Sequence, residues 1–386
     1  METRSKFDSI HIKGFRRLVD VEFPMRPLTV MVGVNGSGKT SFLNAWSLLS
    51  DSSSGRLSVA LSELGGIAEN ITRDKADCLI FEVSMTVPDH APLIYHLSIE
   101  PQGPFYQIAE ETLTQENVRG TTPFKHIESI RGDIRYYGIE DRKLLRPNWE
   151  HDPRETSLSQ VPKLYKEPEN LRKTLSSSAF YSASDLDVHS KAPVRLPQTV
   201  QPTTRPGPYG EDLVSFLYYL RETDRDRFDL LSDTISSAFP DFQRLDFPPV
   251  AAGVLAMTWK DKNFTKPMYV HQLSEGTLRF LWLASILLST DLPAITLIDE
   301  PDVSMHPALL DLLVDLMHQA QNHTQLIVAT HSDRLISFLK PSEVAVLDVE
   351  DGQSTMTWAD TMDIDHWLED YSLDQVLAMN RPGGSR

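Results

Sequence analysis

Residues Leu28 to Thr40 read LTVMVGVNGSGKT. Leu28–Val32 is a continuous apolar run, the pattern of a strand buried on both faces. Gly33–Thr40 then fits G-x-x-x-x-G-K-[ST], and a helix follows from about Thr40 to Leu49. The spacing has a chemical reason. Glycines let backbone N–H groups converge on phosphate oxygens without Cβ clashes, and the helix N-terminus behind them carries partial positive charge. Lys39 would neutralise the β- and γ-phosphates and Thr40 would ligate Mg²⁺. Asn35, Gly36, Ser37, Gly38, Lys39, Thr40 and Ser41 are therefore the candidate cradle for a nucleotide, with ATP and Mg²⁺ the implied cofactors. The plain alternative is a glycine-rich strand–helix turn that holds nothing.

Two later strands end in polar clusters. AITLIDEPDVSMHP (Ala294–Pro307) drives a strand into a sheet and presents Asp299 and Glu300 at its carboxyl end, where α/β sheets bind ligands. Asp299 would hold Mg²⁺, mostly through water, and Glu300 would polarise the water that attacks the γ-phosphate. LIVATHS (Leu326–Ser332) ends in His331, whose neutral imidazole can donate to a γ-phosphate oxygen. The catalytic candidates are thus Glu300, Lys39 and His331, and the metal candidates are Thr40 and Asp299. Between cradle and acids lies HQLSEGTLRFLWLASILL (His271–Leu288), a polar start on an apolar helix. Ser274 can cap that helix, and the N–H groups behind the cap also form an anion site.

Taken in order, GVNGSGKT, LSEGT, LIDEP…HP and ATHS resemble the ATP-binding-cassette ATPases, closest to the AAA-type group near the RecF and SMC heads, which includes the ATPase part of OLD-family proteins. IHIKGFRRLVDVEF (Ile10–Phe23) is similar to that group's entry hairpin, and WLEDYSLDQVLAMN (Trp367–Asn380) to its usual ending. The resemblance implies a head-to-tail dimer in which each ATP lies between one chain's cradle and the other's LSEGT. Ser274 and Gly276 would then touch the γ-phosphate across the dimer, and Asp302 would fall in the loop that talks across the interface. Two features depart from the pattern. Glu275 stands where transporter cassettes have glycine, which favours the RecF/SMC side. The usual lobe-linking glutamine has only positional candidates, Gln102 and Gln107.

The expected fold is α/β: a P-loop NTPase with a cassette-type head, a mostly parallel core sheet flanked by helices, an N-terminal antiparallel β-region, and an inserted middle segment. Period-two patterning in residues 7–12 and 18–23 and strands at 79–87 and 93–99 carry the β-region. Helices at 212–220, 228–239, 308–319 and 334–339 alternate with strands at 294–298 and 325–329. Residues 1–102 read as the N-terminal half of the head. Residues 103–208 read as an inserted segment without a motif, with a loop or linker at 196–210, and residues 209–386 as the C-terminal half.

Composition bounds the partners. A net charge of −17 repels phosphate backbones on average, so DNA binding would need a local basic surface. RGDIRYYGIEDRKLLRP (Arg131–Pro147) mixes basic and aromatic residues, but Asp133, Glu140 and Asp141 interleave them. It reads first as a solvated face and second as a nucleic-acid contact. Residues 341–386 hold ten acids and two bases, an acidic surface suited to a basic partner. One cysteine, Cys78, excludes an internal disulfide and reads as a small core residue. The twelve histidines show no metal pair, and His306, at the HP position of the resemblance, reads as structural or interface-related rather than as a metal ligand. The polar N-terminus and the short apolar runs point to a cytoplasmic protein with no membrane span. No acidic nuclease block follows His331, so nuclease or toxin activity is expected from a separate effector protein. The expected role is an ATPase in DNA repair and maintenance or in anti-phage defence. The alternative is a slow-turnover, nucleotide-gated scaffold that holds a toxin or nuclease partner.

Overall fold

The computed structural model describes residues 5–116, 122–138, 140–184, 186 and 192–362. The segment Trp367–Asn380 and residues 363–386 of the acidic stretch, with five of its ten acids, lie outside the described residues. The chain divides into two compact units, Met1–Ala179 with Ala345–Thr357, and Phe180–Val344 with Trp358–Arg386.

The first unit is built on an antiparallel sheet. Its strands are β1 (Lys6–Phe15), β2 (Leu18–Pro24), β4 (Leu79–Thr86), β5 (Leu93–Gln102), β6 (Phe105–Gln115), β7 (Phe124–Ile130), β8 (Asp133–Gly138) and β9 (Lys143–Leu145), in the order β2-β1-β4-β5-β6-β7-β8-β9; β3 (Leu28–Gly33) stands outside it. Alternation explains the sheet. In β4, Leu79, Phe81, Val83 and Met85 are buried while their neighbours are more open, so one face is apolar and one is not. The expected hairpin of β1 and β2 is present, with Ile10 opposite Phe23 and Ile12 opposite Val21.

The middle segment contributes to this sheet. Residues 105–145, which carry no motif, supply four of the eight strands of this sheet. Glu111 on β6 is fully buried. Its carboxylate accepts from Tyr95 Oη (2.9 Å), Ser157 N (2.6 Å) and Leu158 N (2.8 Å), so it ties an irregular stretch to the sheet. Against this sheet packs the helix Lys39–Ser53, which buries Phe42, Leu43, Trp46 and Leu49. Phe7 meets Trp46 edge to face at 5.1 Å. Cys78 is half-buried rather than part of the core.

The second unit contains the parallel part of the α/β fold. Strand Ile295–Asp299 pairs in parallel with Gln325–Ala329, Asp299 opposite Ala329, and helix Pro307–Ala320 makes the crossover between them. Both strands are mostly apolar and buried along almost their whole length, as strands covered on both faces are. Helix Glu275–Leu287 is buried without a break from Leu278 to Leu287, a core helix rather than an amphipathic one. Helices Leu213–Thr223 and Arg225–Ala238 complete the layer. Of the two readings of residues 196–210, loop or linker, the structure shows a tied loop. The buried Gln198 side chain donates to the carbonyls of Pro193 and Gly210 and accepts from the N–H groups of Val214 and Ser215. Among the described residues no helix is long and apolar enough to cross a membrane.

Candidate functional site

In the first unit, β3 is buried throughout and delivers the chain to Gly33. A Cβ on Gly33 would fall 2.1 Å from the Leu347 carbonyl oxygen, so no larger residue fits. The turn that follows needs left-handed backbone at Gly36 (φ +78°) and Gly38 (φ +107°). Ser37 N donates to Val34 O at 3.1 Å and closes it. Gly38 then opens the helix without a side-chain cap. The buried Lys39 folds back, its Nζ donating to the carbonyls of Gly33 (2.8 Å) and Val34 (3.2 Å). Ser37 Oγ is buried and has no hydrogen-bond partner. Asn35, Gly36 and Thr40 are exposed, and Ser41 is half-buried. These features fit a phosphate chain: a backbone concavity, a cation over it, and an orphaned hydroxyl within the loop.

In the second unit the strand Ile295–Asp299 ends on the buried Asp299. Glu300 follows in left-handed backbone (φ +50°), a conformation costly for a residue with a Cβ. The chain is pinned there: Glu300 N donates to Ala329 O at 2.8 Å, and Ala183 N donates to Asp299 O at 3.0 Å. This brings Glu300 Oε1 to 3.9 Å from His331 Nε2 at the end of the neighbouring strand, both side chains a little over a third exposed. Asp302 accepts a hydrogen bond from the Thr330 hydroxyl. Thr330 Oγ1 in turn accepts from Ser332 N at 3.0 Å, so the loop after Glu300 and the strand end carrying His331 are joined. His306 caps helix Pro307–Ala320 through Nδ1 (3.2 Å from Ala308 N), a structural contact and one of the two uses expected of it.

Ser274 caps helix Glu275–Leu287. Its Oγ accepts from Thr277 N at 3.2 Å and lies 2.7 Å from Thr277 Oγ1. Glu275 turns back along the helix: its Oε1 accepts from Arg279 Nε (3.1 Å) and Nη2 (2.9 Å) and from Ser304 Oγ (2.9 Å). The acid in LSEGT is thereby spent on intrachain contacts. Gly276 has no room for a side chain, since a Cβ would lie 2.5 Å from the Ser304 carbonyl oxygen. Thus LSEGT and the loop after Glu300 touch within one chain.

Some functional-looking residues carried no readable signal. Ser304 has a positive φ (+60°) and sits under Gly276, yet reads as an ordinary loop serine. Arg195 is buried and donates through Nη1 to the carbonyls of Val270 (3.2 Å), His271 (3.0 Å) and Leu273 (3.0 Å), from a stretch without periodicity. Thr330 could have been found, being the neighbour of His331. The mixed segment 131–147 behaves mainly as a solvated face: Asp133 takes both Arg135 (2.6 Å) and Arg146 (2.9 Å). Those two arginines lower the Asp133 carboxyl below its ordinary value. Gln107 pairs across its hairpin with Glu100 at 3.2 Å, and Gln102 stands opposite Phe105 at the same tip.

No curated protein matches this chain in sequence. Among solved structures, it is similar to an SmcHead bound to the C-winged helix domain of ScpA, with a TM-score of 0.58 at 14% identity, covering 91% of this chain and 97% of that one. It is also similar to a Pyrococcus furiosus Smc head domain with an extended coiled coil, bound to the C-terminal domain of ScpA. There the TM-score is 0.55 at 13% identity, over 95% of this chain and 100% of that one. These likenesses show the fold. The family model described as "AAA domain, putative AbiEii toxin, Type IV TA system" matches residues 28–337, from the start of β3 to just beyond His331. The chain belongs to that family of AAA domains, and its fold is similar to that of Smc heads.

Proposed function

We propose that this chain binds and hydrolyses ATP with Mg²⁺ and dimerises around the nucleotide. The observation that carries the reading is the pairing of Glu300 with His331, 3.9 Å apart at the ends of two parallel strands, with Glu300 in strained backbone. A carboxylate so placed can take a proton from an attacking water. An imidazole beside it can donate to a phosphate oxygen and orient that carboxylate. Asn35–Ser41 hold the phosphates through backbone N–H groups, with Lys39 exchanging its loop carbonyls for β- and γ-oxygens. Thr40 and Asp299 offer the oxygen ligands that Mg²⁺ takes. Among the described residues no group of three His, Cys, Asp or Glu could hold a metal alone, so the ion would share its shell with water and phosphate. Held by Thr40 and Asp299, Mg²⁺ would supply neutralisation of phosphate charge. Ser274 and Gly276 complete the pocket of a second copy, and Asp302 couples the two. The setting is cytoplasmic DNA repair or anti-phage defence, with a separate nuclease or toxin as effector and DNA as a candidate ligand.

A second reading is a slow, nucleotide-gated scaffold for a protein partner. It is favoured by the SMC heads of similar fold, both solved with a domain of ScpA on them. ATP turnover by the wild-type chain and by Lys39→Ala, each with and without duplex DNA, separates the two. Hydrolysis that DNA stimulates and Lys39→Ala abolishes supports the first. Tight ATP binding with negligible turnover supports the second. No ATP binding at all refutes both.

A further inference from the structure

Arg195 lies in the segment that carries no motif, on a short 3-10 turn Pro193–Arg195. The residue is nevertheless only 8% exposed, and one of its side-chain nitrogens serves three carbonyls, those of Val270, His271 and Leu273. These residues form the turn that enters LSEGT, Val270–Gln272 being itself a 3-10 turn. Burying a guanidinium is costly unless its donors are used, so a buried arginine spent on loop carbonyls has fixed that loop. The base of the clamp is fixed too, because Gln198 holds the Pro193 carbonyl at 3.2 Å and the Gly210 carbonyl at 2.9 Å.

A trans peptide is planar, with its N–H pointing opposite to its C=O. Holding the Leu273 carbonyl on Arg195 therefore sets the direction of the Ser274 N–H. Holding the His271 carbonyl does the same for Gln272. From the other side, the Ser274 hydroxyl is engaged with Thr277. The anion-facing groups of LSEGT are thus aimed before any phosphate arrives, which removes an ordering cost from association.

We infer that Arg195 is a positioning residue for the Ser274–Gly276 anion site, so that the unassigned middle segment controls whether this chain can close on the nucleotide of a second copy. The inference rests on the ATP-bridged dimer proposed above. It separates two functions of one chain: Arg195 acts on the phosphate site offered to a partner and leaves the chain's own cradle at Asn35–Ser41 intact.

The test is sedimentation velocity with ATP and Mg²⁺ in a Glu300→Gln background, beside binding of a fluorescent ATP analogue to the monomer. Arg195→Met is expected to bind the analogue as the parent does and to stay monomeric where the parent dimerises. Mixed with Lys39→Ala chains in the same background it should form dimers again, because that partner brings an intact LSEGT to an intact cradle. Ser274→Arg, which disables LSEGT directly, should behave alike alone and in the mixture. Arg195→Gln keeps an amide donor in the clamp and takes the place of Arg195→Met if the methionine variant melts below assay temperature. Dimerisation of the Arg195 variant like the parent overturns the inference, as does loss of monomer nucleotide binding in a folded variant. Recovery in the Ser274→Arg mixture but not in the Arg195 mixture also overturns it. A parent that stays monomeric overturns the dimer reading, and the inference with it.

Discussion

Glu300 Oε1 and His331 Nε2 stand 3.9 Å apart, brought together by the Asp299–Ala329 register of two parallel strands. The separation is too long for a direct hydrogen bond and short enough that one water or phosphate oxygen can engage both side chains. Glu300→Gln is expected to lower ATP turnover by about 10²–10⁴-fold, the usual worth of a general base, with nucleotide affinity retained. His331→Ala should lower kcat with a smaller change in KM. Steady-state phosphate release measures both. Unchanged kcat in both variants would remove this pair from the chemistry.

Gly276 faces the Ser304 carbonyl where a Cβ would sit 2.5 Å away. Gly276→Ala must push the loop after Glu300 aside, at about 1–3 kcal/mol for such overpacking. The expected result is a lower urea midpoint and loss of ATP-driven dimerisation, with monomer nucleotide binding preserved. Wild-type stability together with wild-type dimerisation contradicts the contact.

Arg279 is 5% exposed, its Nε and Nη2 rest on Glu275, and its Nη1 has no hydrogen-bond partner. Glu275→Ala therefore strands most of a buried cation and releases Ser304. Because Glu275 is itself 43% exposed, the buried-pair figure is discounted to about 1–2 kcal/mol. Glu275→Gln, which still accepts, should lose less. Equal stability of the alanine variant and wild type in urea denaturation would show the contact to be idle.

Glu111 offers a stability test with a sign. Burial lifts its carboxyl above the ordinary value, against the pull of the Leu158 and Ser157 backbone donors. An acid whose pKa is higher folded than unfolded binds more protons in the folded state between the two values. Its contribution to stability is therefore full below the unfolded value near 4.3 and declines as pH rises through that window. Glu111→Gln keeps the shape but turns an amide N–H₂ toward donors. It should cost about 1–3 kcal/mol at neutral pH for the unmet groups and flatten that part of the pH profile. A variant as stable as wild type at pH 7 refutes the assignment.

The sequence was legible where one local rule decides the outcome. The buried run of β3, the glycine turn, the strand ending on Asp299 and the strand Gln325–Ala329 all follow from periodicity and from what a strand end can present. The helix Glu275–Leu287 was legible for the same reason. Residues 105–145 were not, because β6 to β9 are short or mixed in pattern and owe their place to pairing, β6 with β5 and each later strand with the one before it. Arg195 and Gln198 were hidden for a different reason. A polar side chain that anchors an irregular loop has no period, and only the carbonyls it meets reveal it. The direction of Glu275 was equally unreadable, since it depends on Ser304, 29 residues away.

The central claim is that two chains close on ATP. Sedimentation velocity of Glu300→Gln with saturating ATP and Mg²⁺ tests it most directly. The account predicts a dimer that forms with ATP, disperses when Mg²⁺ is chelated, and is absent when Lys39→Ala is added to the same chain. A Glu300→Gln chain that binds ATP and sediments as a monomer contradicts it.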